Sequence, residues 1–205
     1  MASPLIGILA LQGDFKEHAS KFRSLGCETR EIRRASELDG INALVLPGGE
    51  STTVALLEQA EPHISKGETQ ETIFDAIKRK AQFGLPIWGT CMGSILLSKE
   101  IEGSTQGRLA LMDIKVRRNA FGPQRFSSEV PLAIPALGDR PFPGIFIRAP
   151  LILEANGSAE VLGRMDEGIV MARQGKLLAT VFHPEVVGDT RVHEYFLGMI
   201  TSQQA

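Results

Sequence analysis

Apolar residues gather into short runs in the first half of the chain, and stretches of helical period separate them. Leu5-Ile6-Gly7-Ile8-Leu9-Ala10-Leu11 is apolar on both faces of a strand, the pattern of a parallel strand covered from both sides. Gln12-Gly13-Asp14 turns the chain, Asp14 is a candidate N-cap, and residues 15–25 carry a helical pattern that Gly26 stops. Residues 27–32 and 41–46 read as the second and third strands, the latter ending in Pro47-Gly48-Gly49. Residues 51–60 and 71–83 read as helices, and Gly84 closes the second of them. Residues 85–88 form a short apolar strand in which Pro86 is tolerated only near the start, and residues 91–99 read as a helix packed on the sheet. This alternation predicts an open parallel sheet of the doubly wound kind.

The character changes after residue 107. Short β-type runs follow at 111–117, 130–134, 145–147, 159–164, 169–172 and 177–182, before a closing helix at 191–202. Residues 131–150 hold five of the eleven prolines and read as loop-rich. The expectation is an α/β protein with a mostly parallel core sheet and antiparallel additions in its C-terminal half. A length of 205 residues suits one domain with a substantial core.

Composition narrows the functional classes. With 43% hydrophobic and 22% charged residues, the chain reads as an ordinary soluble globular protein. A net charge of −2 gives no electrostatic reason to expect nucleic acid or an anionic membrane. Met1-Ala2-Ser3-Pro4 does not open a secretory signal, and no apolar stretch approaches the roughly 20 residues that cross a bilayer. Cys27 and Cys91, far apart, do not make a disulfide framework and fit a reducing compartment, so the cytoplasm is the expected location. There is no C-x-x-C pair and no His-rich cluster with ligand spacing, so no metal is expected.

The most informative segment is Leu85-Pro86-Ile87-Trp88-Gly89-Thr90-Cys91-Met92-Gly93, an apolar strand followed by G-x-C-x-G and a helix. The same layout with serine is the nucleophile elbow, whose sharp turn forces the nucleophile toward substrate. The helix N-terminus favours thiolate over thiol at Cys91, and the Met92 N–H would point toward the oxyanion of a tetrahedral intermediate. A lone cysteine in a Gly-rich turn is more often a small buried residue; the strand-elbow-helix setting is what lifts Cys91 above that reading. Cys27 has no such setting and reads as structural.

Cysteine catalysis needs a base and a group to orient it. Of His18, His63, His183 and His193, only His183 follows a β-rich run, and it sits in His183-Pro184-Glu185. From a core-strand end it could lean over the sheet edge where the elbow lies. Glu185 could accept a hydrogen bond from the far imidazole nitrogen. Separately, a strand-end histidine and a solvated acid would be the plainer readings. His18, His63 and His193 read as surface or packing residues.

These residues carry a family resemblance. Cys91 in G-T-C-M-G with His183-Pro184-Glu185 resembles the class I, triad-type glutamine amidotransferases. Leu9-Ala10-Leu11-Gln12-Gly13, Leu46-Pro47-Gly48-Gly49-Glu50-Ser51-Thr52-Thr53, Arg118-Asn119-Ala120-Phe121-Gly122 and Phe146-Ile147-Arg148-Ala149-Pro150 are similar, in order and spacing, to the glutaminase subunits of pyridoxal 5′-phosphate synthase. The resemblance runs from Ile6 to the last helix. It implies a three-layer α/β sandwich with helices on both faces of the sheet, and a Cys91-His183-Glu185 triad. It also implies a glutamine site lined by Gly49, Glu50, Ser51, Arg118, Ile147 and Arg148, with the Gly49 amide joining Met92 as an oxyanion donor. An arginine could clamp the glutamine α-carboxylate; the residues leave open whether Arg118 or Arg148 does so. Pro123, and the length of residues 135–144, depart from the family's pattern near that site without touching the triad.

The resemblance further implies a reaction: L-glutamine is hydrolysed through a γ-glutamyl thioester, and ammonia passes to a (βα)8-barrel synthase in a hetero-oligomer. Pyridoxal 5′-phosphate would be that complex's product, so no cofactor is expected here. In such complexes the synthase completes the oxyanion hole, and Gln12-Gly13 is the element expected to take part. The alternatives are a triad amidotransferase serving imidazole-glycerol phosphate synthesis, a non-catalytic glutamine-binding regulator, and a cysteine peptidase or stress protein of related fold. The Gln12-Gly13 start and the 146–150 motif weigh against the first, the intact triad against the second, and the complete set of glutamine-site residues against the third.

Overall fold

The computed structural model describes residues 3–49, 71–120 and 127–201. Five strands form the parallel half of the main sheet: β1 (Leu5–Leu9), β2 (Glu28–Ile32), β3 (Ala43–Leu46), β4 (Ile87–Thr90) and β12 (Leu177–Thr180). They lie in the order β2-β1-β3-β4-β12, with every neighbouring pair parallel. Strands β1, β3 and β4 are buried almost end to end, as the apolar runs predict.

The sheet continues antiparallel from β12 through β11 (Gly168–Gln174), β9 (Leu151–Ala155) and β6 (Met112–Arg117). β5 (Ser98–Ile101) closes that edge parallel to β6, and β10 (Glu160–Met165) pairs with β11. A separate hairpin joins β7 (Ser127–Leu132) to β8 (Phe142–Ile147). The mostly parallel core with antiparallel additions is therefore the arrangement found.

Helices α1 (Phe15–Ser24), α2 (Ile73–Gln82), α3 (Met92–Leu97) and α4 (Arg191–Thr201) complete the described residues. Alternation along β4 shows that both faces are covered. Trp88 points to one face, where it meets Phe22 of α1 and Phe196 of α4 at 6.4 and 5.5 Å between ring centroids. Its neighbour Gly89 points to the other, against the first turn of α3. Each helix presents a stripe of the expected period: Ala19 with Phe22 on α1, and Val192, Phe196 and Met199 on α4, are buried. Among the described residues no helix is long and apolar enough to cross a membrane.

Four local expectations change. The helix after Cys91 ends at Leu97 rather than Lys99, and Ser98 to Ile101 form a strand instead. Nothing local forbids a longer helix there; pairing of Ser98, Glu100 and Ile101 with Met112, Lys115 and Val116 decides it. β9 was not expected, and it fills the gap between β11 and β6. β4 begins at Ile87 and runs to Thr90, so the strand delivers the chain directly to Cys91.

Residues 131–150 are not mainly loop, because most of β8 and the end of β7 lie there. Pro131 faces Pro143 across the hairpin. Proline cannot donate, so this pair occupies a position where backbone groups point away from the partner strand. Ile145, two residues from Pro143, shares that orientation, and its outward carbonyl accepts the His183 N–H at 2.8 Å. The predicted helix at 51–60 lies outside the described residues.

The elbow is held on the sheet by contacts that only glycine permits. A Cβ on Gly93 would stand 2.0 Å from the Leu46 carbonyl oxygen, and one on Gly89 would stand 2.4 Å from the Gly93 carbonyl. Both obstacles are backbone. Gly93→Ala is expected to cost about 1–3 kcal/mol, the usual penalty of overpacking. That corresponds to a fall in thermal midpoint of roughly 2–4 °C per kcal/mol for a chain of this size, measured by calorimetry. An unchanged midpoint would mean that α3 slides away from β3 at no cost.

Candidate active site

Cys91 sits between β4 and α3 at φ 46° and ψ −106°, a conformation that non-glycine residues rarely adopt. Its N–H donates to the Thr180 carbonyl of β12 at 2.8 Å, while its carbonyl accepts the Ser94 hydroxyl at 2.6 Å and the Ser94 N–H at 3.1 Å. The strain is thus held in place by bonds on both sides of the residue. Among the described residues, three of the four non-glycine residues with positive φ, Cys91, Asn119 and Arg148, line one cleft of about 230 Å³. Clustering of backbone strain marks a functional site better than any single outlier. That volume suits a small metabolite; pockets for drug-sized ligands run to roughly 300–1,000 Å³.

The cleft brings together most of the residues singled out in the sequence. Cys91, Met92, His183 and Gly49 line it, as do Arg118, Ile147 and Arg148. The Ala120 N–H donates to the Ala149 carbonyl at 3.1 Å, which ties the Arg118 and Arg148 segments together. Arg118 donates to the Gln106 side-chain oxygen at 2.7 Å. Gly48 and Gly49 pack against the Gln12-Gly13 turn so tightly that a Cβ on Gly13 would stand 1.7 Å from the Gly48 oxygen. Glu50 and Ser51, the other expected glutamine contacts, lie outside the described residues, as do His63 and Pro123.

His183 comes from the end of β12, fixed by its N–H bond to Ile145 and by the short 3-10 turn Pro184–Val186. Its Nδ1 lies 2.7 Å from Glu185 Oε1 and 3.4 Å from Asp14 Oδ2. Burial alone would disfavour the imidazolium, but hydrogen bonding to Asp14, Cys91 and Glu185 outweighs it and pushes His183 up to about 12. These contacts keep His183 charged at neutral pH, in the same cleft as Cys91. Glu185 is only 2% exposed. Burial raises its carboxyl above the usual range, and the His183 contact opposes that rise.

The sequence reading missed what lies behind Glu185. Of the surface and packing readings, packing is the one that fits His18 and His193, both fully buried, but their polar partners were not foreseen. His18 Nε2 lies 3.4 Å from Glu185 Oε2 and 3.1 Å from Thr90 Oγ1, and His18 Nδ1 lies 3.2 Å from His193 Nε2. The signal was present in the helical period, since His18 shares a face with Phe22 and His193 with Phe196 (i, i+4 and i, i+3). Asp14 was also missed as a site residue. It occupies the N-cap of α1 without a side-chain cap bond, its carboxylate turned to His183. Asn119 joins the cleft although only its neighbour Arg118 was singled out.

Asp14, His183 and Glu185 are the one group of three potential metal-ligating side chains among the described residues, with ligand atoms within 4.8 Å of one another. His183 Nδ1 already faces both carboxylates, so a proton shared with them accounts for the trio. Cys27 is buried, and burial pushes its thiol up, which fits a structural role.

Burial holds both hidden histidines neutral: His18 well below its ordinary value, with His193 and His183 adding to the effect, and His193 down to about 3, with Lys21 adding to it. In the unfolded chain both titrate near 6.5. Below that pH the unfolded state therefore binds more protons, and stability falls on acidification by up to roughly 1.4 kcal/mol per pH unit for each histidine. Urea unfolding between pH 7 and 5 should show this slope, and His193→Phe should remove one proton from it. A slope unchanged by that substitution would contradict a neutral buried His193.

Comparison with known proteins agrees with this geometry. Residues 8–202 match the model of the SNO glutamine amidotransferase family. The chain is 51% identical over 192 residues to "Pyridoxal 5'-phosphate synthase subunit PdxT" of Pelotomaculum thermopropionicum, covering 94% of this chain and 93% of that one. It is 49% identical to the protein of the same name from Moorella thermoacetica, covering 95% and 98%. Among solved structures, one described as a glutamine amidotransferase superposes with a TM-score of 0.84 at 42% identity, over 95% of this chain and 98% of the other. The PurLQS structure from Thermotoga maritima, at 14% identity and a TM-score of 0.69 over 98% of this chain and 100% of the other, shares the fold alone.

Proposed function

Since the chain belongs to the SNO glutamine amidotransferase family, we propose that it hydrolyses L-glutamine with Cys91, His183 and Glu185, as the ammonia-supplying subunit of a pyridoxal 5′-phosphate synthase. The observation that carries the reading is the convergence itself: a strained cysteine shares one cleft with an imidazole whose Nδ1 is 2.7 Å from a sealed carboxylate.

In this reading the Cys91 thiolate attacks the side-chain amide carbon of glutamine. The C=O oxygen becomes an oxyanion and accepts hydrogen bonds from the Met92 and Gly49 N–H groups. His183 gives its Nε2 proton to the amide nitrogen, the C–N bond breaks, and ammonia leaves a γ-glutamyl thioester. Water then attacks the thioester and gives its proton to His183. The C–S bond breaks, glutamate departs, and the thiolate–imidazolium pair is restored. Glu185 stays ionised throughout and holds the imidazole in its productive orientation.

Arg118, Ile147 and Arg148 would hold the amino-acid end of the substrate, together with Glu50 and Ser51. A guanidinium can take a carboxylate through two parallel N–H bonds. Ammonia set free in open water would be protonated and lost, so a partner that receives it directly is part of the reading. The partner proposed is a (βα)8-barrel synthase docked on this chain in a hetero-oligomer. Every step runs on protein groups and water; pyridoxal 5′-phosphate is the assembly's product and takes no part as a cofactor.

The test is glutamate release from L-glutamine, with and without the barrel synthase. Cys91→Ala should lower kcat by at least roughly 10³-fold and Glu185→Gln by about 10²–10⁴-fold, and EDTA should leave the rate unchanged. Partner-stimulated release that persists in Cys91→Ala would remove the triad. No release from the native chain with its partner bound would favour a glutamine-binding regulator.

A further inference from the structure

The carboxylate of Glu185 has two oxygens, and the triad uses one. Oε1 meets His183 Nδ1; Oε2 is buried, has no close hydrogen-bond partner, and has His18 Nε2 at 3.4 Å. A buried carboxylate oxygen facing an imidazole nitrogen is tolerable only if that nitrogen carries its hydrogen.

The hydrogen-bond inventory selects the same tautomer. If His18 carried its hydrogen on Nδ1, it would donate to His193 Nε2, and the His193 hydrogen would sit on Nδ1. That atom is buried without a partner, so an N–H donor would be orphaned while the lone pair of His18 Nε2 faced Glu185. With the hydrogen on His18 Nε2, His193 Nε2–H donates to His18 Nδ1, and His18 Nε2–H donates to Thr90 Oγ1 at 3.1 Å with Glu185 Oε2 3.4 Å away. Only a lone pair on His193 Nδ1 is then left over, the cheaper group to leave unpaired.

We propose that His18 is a positioning residue for the glutaminase reaction: its Nε2–H holds the outer oxygen of Glu185, keeps that carboxylate ionised and turned toward His183, and is itself oriented by His193. The proposal rests on the Cys91-His183-Glu185 reading. The relay then has five members in line, Cys91, His183, Glu185, His18 and His193. It joins β4, β12, α1 and α4 through the sealed face of the sheet, away from the cleft. His18 touches no substrate.

The charged and titratable groups around His18 are few. His183 and Glu185 face it from the turn after β12, and His193 from α4. Thr90 of β4 adds a hydroxyl, and Trp88 meets its ring edge-on at 5.2 Å. Asp14 at the start of α1 faces His183 rather than His18, and Lys21 acts on His193. His18 is thus the group that sets a ring nitrogen, at 3.4 Å, against Glu185 Oε2, while His183 meets Oε1. Without that N–H donor, Glu185 would take up a proton at higher pH, and the imidazolium of His183 would lose its counter-charge. The acid limb of activity would move upward in pH.

Two polar substitutions separate the geometries without emptying the core. A glutamine amide places its nitrogen near the position of His18 Nε2. An asparagine amide reaches only the position of Nδ1, where it can pair with His193 but not with Glu185. The rate of glutamate release by the assembled chain and synthase is measured against pH for the native protein, His18→Gln, His18→Asn and Cys91→Ala. Alkylation of Cys91 by iodoacetamide is followed in parallel by mass spectrometry of its peptide.

His18→Asn should lower kcat by roughly 10-fold or more with KM little changed, and should raise the acid limb of both profiles by about one pH unit, the effect of removing an N–H dipole from beside a buried carboxylate. His18→Gln should restore most of both. The same acid limb in both variants and the native protein would overturn the proposal and leave His18 a packing residue. Equal upward shifts in both would also overturn it, because the Nε2 position would then not matter. Glutamate release that survives Cys91→Ala would instead sink the triad on which the proposal rests.

Discussion

A carboxylate sealed inside a protein keeps its charge only if donors surround it, and Glu185 is the point at which this molecule meets that demand. The 2.7 Å contact with His183 is a hydrogen bond between opposite charges where water cannot compete. Had either partner been solvent-exposed, the imidazolium would be an ordinary histidine, charged only in acid. Burial without the carboxylate would have made it neutral, as burial makes His18 and His193. The combination gives an imidazolium that is both charged and held, in the same cleft as Cys91.

The rest of the fold serves to bring those groups to one place. β4 and β12 lie side by side in parallel, so their C-terminal ends emerge together, carrying Cys91 and, three residues past the end of β12, His183. Ligands of open α/β sheets gather at this edge because the strand ends leave a crevice there. The hairpin β7–β8 contributes the Ile145 carbonyl that fixes the His183 backbone, and α1 contributes Asp14 at its first turn. Two elements far apart in sequence therefore clamp one imidazole from different sides.

Strain at the cleft is a consequence of this convergence. Cys91 is held at positive φ by bonds to Thr180 and Ser94 and by the close approach of α3 to β3 that Gly93 allows. Asn119 and Arg148 also have positive φ, on two segments tied by the Ala120–Ala149 bond. Each such residue costs of order 1–3 kcal/mol, and the packed core around the cleft keeps all three in place. The result is a pocket whose backbone groups are aimed before any ligand arrives.

Much of this was legible in the chain. Continuous apolar runs specify strands covered on both faces, G-x-C-x-G after such a run specifies an elbow, and a His-Pro-Glu after the last core strand sets an imidazole and a carboxylate at a spacing that lets them pair. These signals are local, which is why they could be read. The relay behind Glu185 was not read, although His18 and His193 lie on the inward faces of their helices. Periodicity can say that a side chain points inward but not which buried partner awaits it. Ser98–Ile101 and Leu151–Ala155 became strands through partners that are distant in sequence, and the proline-rich stretch became a hairpin because Pro131 and Pro143 could face each other where no donor is needed. The sequence by itself determined the elbow at Cys91, the pairing of His183 with Glu185 and the sheet that carries them. Only the tertiary structure decided what stands behind that carboxylate, because the electrostatics of a buried charge depend on every group within hydrogen-bonding reach, and those groups come from helices at opposite ends of the chain.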